Sequence, residues 1–205
     1  MKKHKLVVVS TVVAFIVVVL GICFWVARNQ EKQEFKNVIK EETISAKEIK
    51  NKYDTVSIGE SIDDITKTLG TPVYTESSTT QSGSGSTLYT WGSNNSDEVG
   101  AQLTINTQND KIINKSVSGL YVQYDPNNLI SSKKYADIKL NNNFTFNNAV
   151  KEFGKPNDMS EYKNPNNDLI QTITWNTNTT GPVGSYMTIV FTNNIATSKN
   201  EVGLI

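Results

Sequence analysis

Two tryptophans with matching surroundings constrain this chain more than any other feature. Trp91 lies 21 residues after Gly70, and Trp175 lies 21 after Gly154. Gly100 and Gly184 each follow their Trp by nine, and Gly119-Leu120 and Gly203-Leu204 each put a Leu 29 residues past it. Upstream, Tyr53–Ile58 aligns with Tyr135–Leu140, after which the second stretch carries two extra residues around Asn141–Asn143. Self-similarity at fixed offsets marks a duplicated supersecondary unit. The spacing therefore predicts two tandem copies, about 53–120 and 135–204. A unit of about 70 residues buries a small core and gains from packing on its neighbour.

Both copies follow the same order of local signals. Ser45-Ala46-Lys47-Glu48 is a capping-box pattern that opens a short helix running toward Tyr53. Ser61 precedes a second helix with Ile62, Ile65 and Leu69 on one face, closed by Gly70 in a left-handed C′ conformation and by Pro72. In the second copy Thr145 is the cap, Phe146, Ala149, Val150 and Phe153 form the apolar face, and Gly154 and Pro156 close it. Strands are predicted near Pro72–Thr80, at Thr87–Trp91, Ala101–Ile105 and Ile112–Val117, then at Leu169–Trp175, Ser185–Phe191 and Ile195–Ser198. Asn109-Asp110 and Asn193-Asn194 supply turns.

Period-two alternation assigns the faces. Leu103, Ile105, Met187, Ile189 and Phe191 point toward the helices, beside Tyr89, Trp91, Ile173 and Trp175. Thr90, Gln102, Thr104, Thr174, Tyr186 and Thr188 fall on the opposite face and are the candidate binding residues.

The N-terminus carries a separate signal. Leu6–Val26 is a 21-residue run without charge, preceded by Lys2, Lys3 and Lys5 and followed by Arg28. At about 1.5 Å per residue it would span roughly 31 Å, the thickness of a hydrocarbon core. The positive-inside bias puts the tip in the cytoplasm and the remainder outside. A signal peptide is the competing reading, and Cys23, after Leu20-Gly21-Ile22, is a candidate lipidation site.

The expected architecture is α+β: an N-terminal transmembrane helix, then two tandem domains, each of two short helices packed on a four-stranded antiparallel sheet. Its segments are a cytoplasmic tip (1–5), an anchor (6–27), a polar stalk (28–44), a first unit (45–120), a linker (121–134) and a second unit (135–205). The expected localisation is the cell membrane, single-pass, with the C-terminal domains extracellular.

Composition excludes several function classes. The 205 residues hold 20 basic and 20 acidic side chains, so no basic stripe releases phosphate counterions and no nucleic-acid partner is expected. The one His, His4, and the one Cys, Cys23, both fall in the N-terminal segment, away from any nucleophile–base pair. Asp63 and Asp64 are neighbours at a helix start, where the macrodipole explains them better than catalysis does. Asn94–Glu98 and Asn164–Asp168 offer oxygen ligands but lack the alternating calcium-loop spacing, and they read as Asx turns. No catalytic residue, metal ligand or cofactor is expected.

The Tyr-x-x-[Val/Ile]-x-[Ile/Leu] lead-in, the helix ending Leu69-Gly70-Thr71-Pro72, the mid-unit Trp and the closing Ser118-Gly119-Leu120 resemble the β-lactamase-inhibitor-protein-like superfamily. They are similar also to SmpA/OmlA-type envelope lipoproteins and, most of all, to uncharacterised tandem-domain small lipoproteins of Gram-positive bacteria. The resemblance covers about 53–204. Gly59-Glu60-Ser61 and the Asn141–Asn143 insertion depart from the pattern. It implies the fold and a non-enzymatic binding role in the cell envelope, assisting assembly or inhibiting an envelope enzyme. The partners expected are the membrane, through the N-terminal helix, and an envelope protein or cell-wall polymer. Tethering would raise the local concentration toward such partners. A cell-wall-modifying enzyme using carboxylates is the alternative; an extracytoplasmic sensor is a third.

Overall fold

A computed structural model describes residues 28, 30–34, 36–37, 45–79, 85–92 and 100–205. The chain divides into two compact units, 1–41 and 42–205. In the first, the described residues 28, 30–34 and 36–37 are helical and exposed.

The second unit begins with helix α1 (45–55) and helix α2 (Ile62–Leu69). Strands β1 (Tyr74–Thr79), β2 (Gly85–Gly92), β3 (Gln102–Gln108) and β4 (Lys111–Ser118) follow. Helices α3 (Ser132–Asp137) and α4 (Phe146–Phe153) then precede β5 (Asp158–Lys163), β6 (Leu169–Trp175), β7 (Tyr186–Thr192) and β8 (Ile195–Val202).

The expected pair of separate four-stranded sheets is corrected. Among the described residues there is one continuous eight-stranded antiparallel sheet, ordered β1 to β8. The join is β4 against β5, in the register Asn114–Tyr162, Lys115–Glu161, Ser116–Ser160 and Val117–Met159. Two four-stranded meanders would leave four free edges, each a row of unpaired backbone groups. Pairing β4 with β5 removes two of them. Backbone bonds extend the join past the strands: Leu120 N–H donates to Asn157 O at 3.0 Å, and Gly119 N–H to Asp158 Oδ1 at 3.0 Å.

The membrane expectation is also corrected. No helix among the described residues is long and apolar enough to cross a membrane. The expected anchor (6–27), His4 and Cys23 lie outside the described residues. The single-pass localisation with extracellular C-terminal domains, and the tethering argument built on it, are therefore not retained.

A single buried cluster runs through both halves of the sheet. It joins Ile49 and Tyr53 of α1, Ile62, Ile65 and Leu69 of α2, and Ala149 and Phe153 of α4 to Leu103, Ile105, Ile173, Met187, Ile189 and Phe191. The two indoles sit in equivalent places within it. Trp91 Nε1 donates to Gly70 O at 2.9 Å, and Trp175 Nε1 donates to Gly154 O at 2.9 Å. Each bond satisfies a buried donor while fixing the end of a helix against the sheet. The glycines differ from the expected left-handed cap. Gly70 (φ 81°, ψ −174°) and Gly154 (φ 81°, ψ −166°) combine positive φ with extended ψ, a region essentially reserved for glycine. That backbone breaks the helix and aims the carbonyl at the indole.

A second matched device lies on the same side of the sheet. Lys115 Nζ donates to Tyr53 O at 3.2 Å and Val56 O at 2.6 Å, and sits 4.2 Å from the Tyr53 ring centroid. Lys199 Nζ donates to Tyr135 O at 2.6 Å, Ala136 O and Ile138 O at 3.2 Å, and sits 4.4 Å from the Tyr135 ring. Each lysine thus satisfies the orphan carbonyls where α1 or α3 ends. The hairpin turns match as well: Asn109-Asp110 and Asn193-Asn194 all have positive φ, the signature of two-residue type I′ turns.

Candidate binding face

The six candidate residues lie on one face of the continuous sheet, the face turned away from the buried cluster. Alternation makes this so. In β3, Leu103 and Ile105 are buried, while Gln102 and Thr104 are half-buried between them. In β7, Met187, Ile189 and Phe191 are buried, while Tyr186 and Thr188 alternate with them. Register then lines the outward side chains into transverse rows. One row runs Tyr74, Thr90, Thr104, Ser116, Ser160, Thr172, Val190, Ser198 across all eight strands. It carries no charge, and its hydroxyls serve both as donors and as acceptors.

The structure brings the candidates together in two groups. Thr90 pairs with Thr104, next to Gln102, in the N-terminal half. Thr174 pairs with Thr188 in the C-terminal half, their hydroxyls 2.9 Å apart. Thr90 is only 4% exposed, so it offers a partner little surface. Thr174, Tyr186 and Thr188 instead line a recess of about 480 Å³, together with Asp158, Asn176 and Gly184. Burial raises the pKa of the Asp158 carboxyl above the ordinary aspartate value, and the bond from the Gly119 N–H partly offsets it.

Two exposed tyrosines on this face escaped the sequence reading. Tyr74 on β1 is 45% exposed and donates its hydroxyl to Glu76 Oε2 at 3.1 Å. Tyr162 on β5 is 40% exposed and pairs in register with Asn114. Strand parity carried the signal, because Tyr162 shares the parity of Ser160 and Tyr74 lies just past Pro72, where β1 begins. Tyrosine is enriched in interface cores because it brings a rigid apolar ring and a polar tip.

The other candidate chemistries resolve locally. Asp63 and Asp64 lie in the first turn of α2, and exposed Asp64 is paired with Lys67 at 3.1 Å. In 164–168, Asn164 Oδ1 accepts from the N–H groups of Asn166 (3.0 Å) and Asp168 (2.9 Å), which is an Asx turn. Hydrogen bonds from Asn193 and Asn164 lower the pKa of Asp168. Segment 94–98 lies outside the described residues. Among the described residues no cluster of three His, Cys, Asp or Glu could hold a metal ion.

Comparison with known proteins places this geometry. A solved structure of a provisionally assigned beta-lactamase inhibitor protein from Streptococcus mutans superposes with a TM-score of 0.59 at 15% identity, covering 77% of this chain and 97% of that one. At that identity the likeness shows a shared fold. No curated protein sequence matches. Residues 50–169, which run from α1 across the β4–β5 join to the start of β6, match the family described as beta-lactamase inhibitor (BLIP). The chain belongs to the beta-lactamase inhibitor (BLIP) family, a family of inhibitor proteins that bind protein partners.

Proposed function

We propose that this chain is a non-catalytic inhibitor that grips a protein target through the outward face of its sheet. The observation that carries the reading is the uncharged, hydroxyl-rich row continuous over eight strands, on the side opposite the buried cluster. Eight strands at about 4.8 Å spacing, with some seven residues each at about 3.3 Å, give a face of roughly 34 by 20 Å. That approaches the roughly 800 Å² one partner contributes to a standard interface. Thr104, Thr174, Tyr186 and Thr188 supply adaptable polar contacts, and Tyr74 and Tyr162 supply rings near the edge and the middle. In the same reading, 45–120 and 135–205 are duplicate units whose merged sheet doubles the contact width.

The family's description names the first target class to try. The full-length protein is assayed against a panel of β-lactamases for slowed hydrolysis of a chromogenic substrate, alongside Thr104→Arg and Thr188→Arg. Each arginine puts a bulky charge on the face without entering the core. Inhibition by the native chain that both variants lose supports the proposal. Inhibition that neither variant weakens would place the contact elsewhere.

A further inference from the structure

On the helix side of the sheet, α1 and α4 leave a cleft of about 540 Å³ where the two halves join. Its apolar lining includes Leu120, Phe146, Val150, Pro156 and Met159. Three lysines, Lys47, Lys50 and Lys155, line it too, and no acidic residue does. Lys50 is engaged by Asp54 at 2.6 Å. Lys47 and Lys155 are exposed, and neither pairs with an acid among the described residues. The volume falls within the ~300–1,000 Å³ typical of small-molecule sites, and such sites combine an apolar body with a few polar groups.

We propose that this cleft binds a medium-chain fatty acid, with its carboxylate held by Lys47 and Lys155 and its alkyl chain laid against Leu120, Val150 and Met159. Charge complementarity selects an anionic head, since the lining is cationic and lacks a compensating acid. The apolar lining selects an alkyl tail. A peptide would need backbone partners along its length, and the uncharged polar side chains of the lining are Asn51, Asn147 and Tyr121 alone. The site faces away from the proposed protein-binding surface, so the two readings stand or fall separately.

Dodecanoate, kept below its micelle concentration, is titrated into the full-length protein while the methyl resonances of Leu120, Val150 and Met159 are followed by NMR. The expected result is a saturable shift of all three, with Met187 on the far strand β7 unmoved. Dodecanol, lacking the charge, is expected to bind at least tenfold more weakly, as is dodecanoate to the Lys47→Gln/Lys155→Gln variant. Absence of a saturable shift, equal response to dodecanol, or unchanged affinity in the double variant would each overturn the proposal. So would saturation by an acidic peptide where dodecanoate gives none, or contacts showing that residues 38–44 of the chain itself fill the cleft.

Discussion

The N-terminal and C-terminal halves of the sheet use the same two devices in different surroundings. Both close a helix on an indole, and both hold a helix end with a lysine under a tyrosine ring. The first lysine, Lys115, sits on β4 in the middle of the merged sheet. Its side chain is 6% exposed and lies 3.6 Å from Glu161 of β5. Burial lowers its pKa, with Glu161 opposing the shift. The second lysine, Lys199, sits on the edge strand β8 and is half-buried. Similar local chemistry thus becomes an interior charge in one half and a near-surface one in the other. Joining the halves, rather than the contact itself, sets how costly each lysine is to disturb.

Four experiments test that comparison. Trp91→Ala and Trp175→Ala should each destabilise by about 3–5 kcal/mol, the range for large-to-small core changes. Urea unfolding that finds one of them nearly neutral would break the equivalence of the indoles. The lysines should separate more. Lys115→Met removes the cation beside the largely buried Glu161 and the bond to Val56 O, and should cost about 3–5 kcal/mol, as breaking a buried pair does. Lys199→Met should cost about 1–2 kcal/mol, on the scale of lost hydrogen bonds near the surface. Equal losses in the same denaturation series would mean that position in the sheet does not matter.

The helix caps separate the halves in the opposite sense. Thr145 and Asn148 form a reciprocal capping box on α4, whereas the Ser61 side chain makes no cap bond on α2. Thr145→Ala should cost about 1 kcal/mol. Ser61→Ala should stay within about 0.5 kcal/mol. Thermal melts of the two variants check this directly.

The smallest effect concerns Asp158, whose counterpart in the first half, 84 residues earlier, is the exposed Tyr74. Burial raises the folded-state pKa of Asp158, so the folded protein holds that proton more tightly than the unfolded chain. Its favourable contribution is complete below the unfolded aspartate value and fades as pH rises through the folded one. Asp158→Asn keeps an oxygen for the Gly119 N–H and should flatten stability between mildly acidic and neutral pH, by about 0.5 kcal/mol or less. A pH series of urea midpoints that is unchanged by the variant would remove the assigned cause.

What the sequence showed, and what it hid, follows from the range of the forces involved. The Trp–Gly offsets were visible because a helix end and the strand facing it lie a fixed chain length apart. Inward and outward parity on β3 and β7 was legible because alternation is local. The β4–β5 pairing was not, since alternation reports which face a side chain takes and says nothing about which strand lies alongside. For the same reason Thr90 read as accessible, although Thr104 and Tyr74 flank it in the finished sheet. The burial of Lys115 was not legible either, since it depends on β5 lying alongside β4. One clue was present: Lys115 and Lys199 each lie 24 residues past their Trp. The glycine caps were half legible, in that positive φ was expected but the extended ψ was set by the indole each carbonyl must meet.

The β4–β5 join also determines how recognition would feel to a partner. Strand pairs, the Lys115–Glu161 contact and the Asn157 and Asp158 bonds all cross it. Among the described residues these contacts tie the two halves into one sheet. A target of the proposed face would have to match the twist it meets. Little freedom is then forfeited on contact, and a rigid jaw of this kind favours selectivity among look-alike targets over tolerance of many.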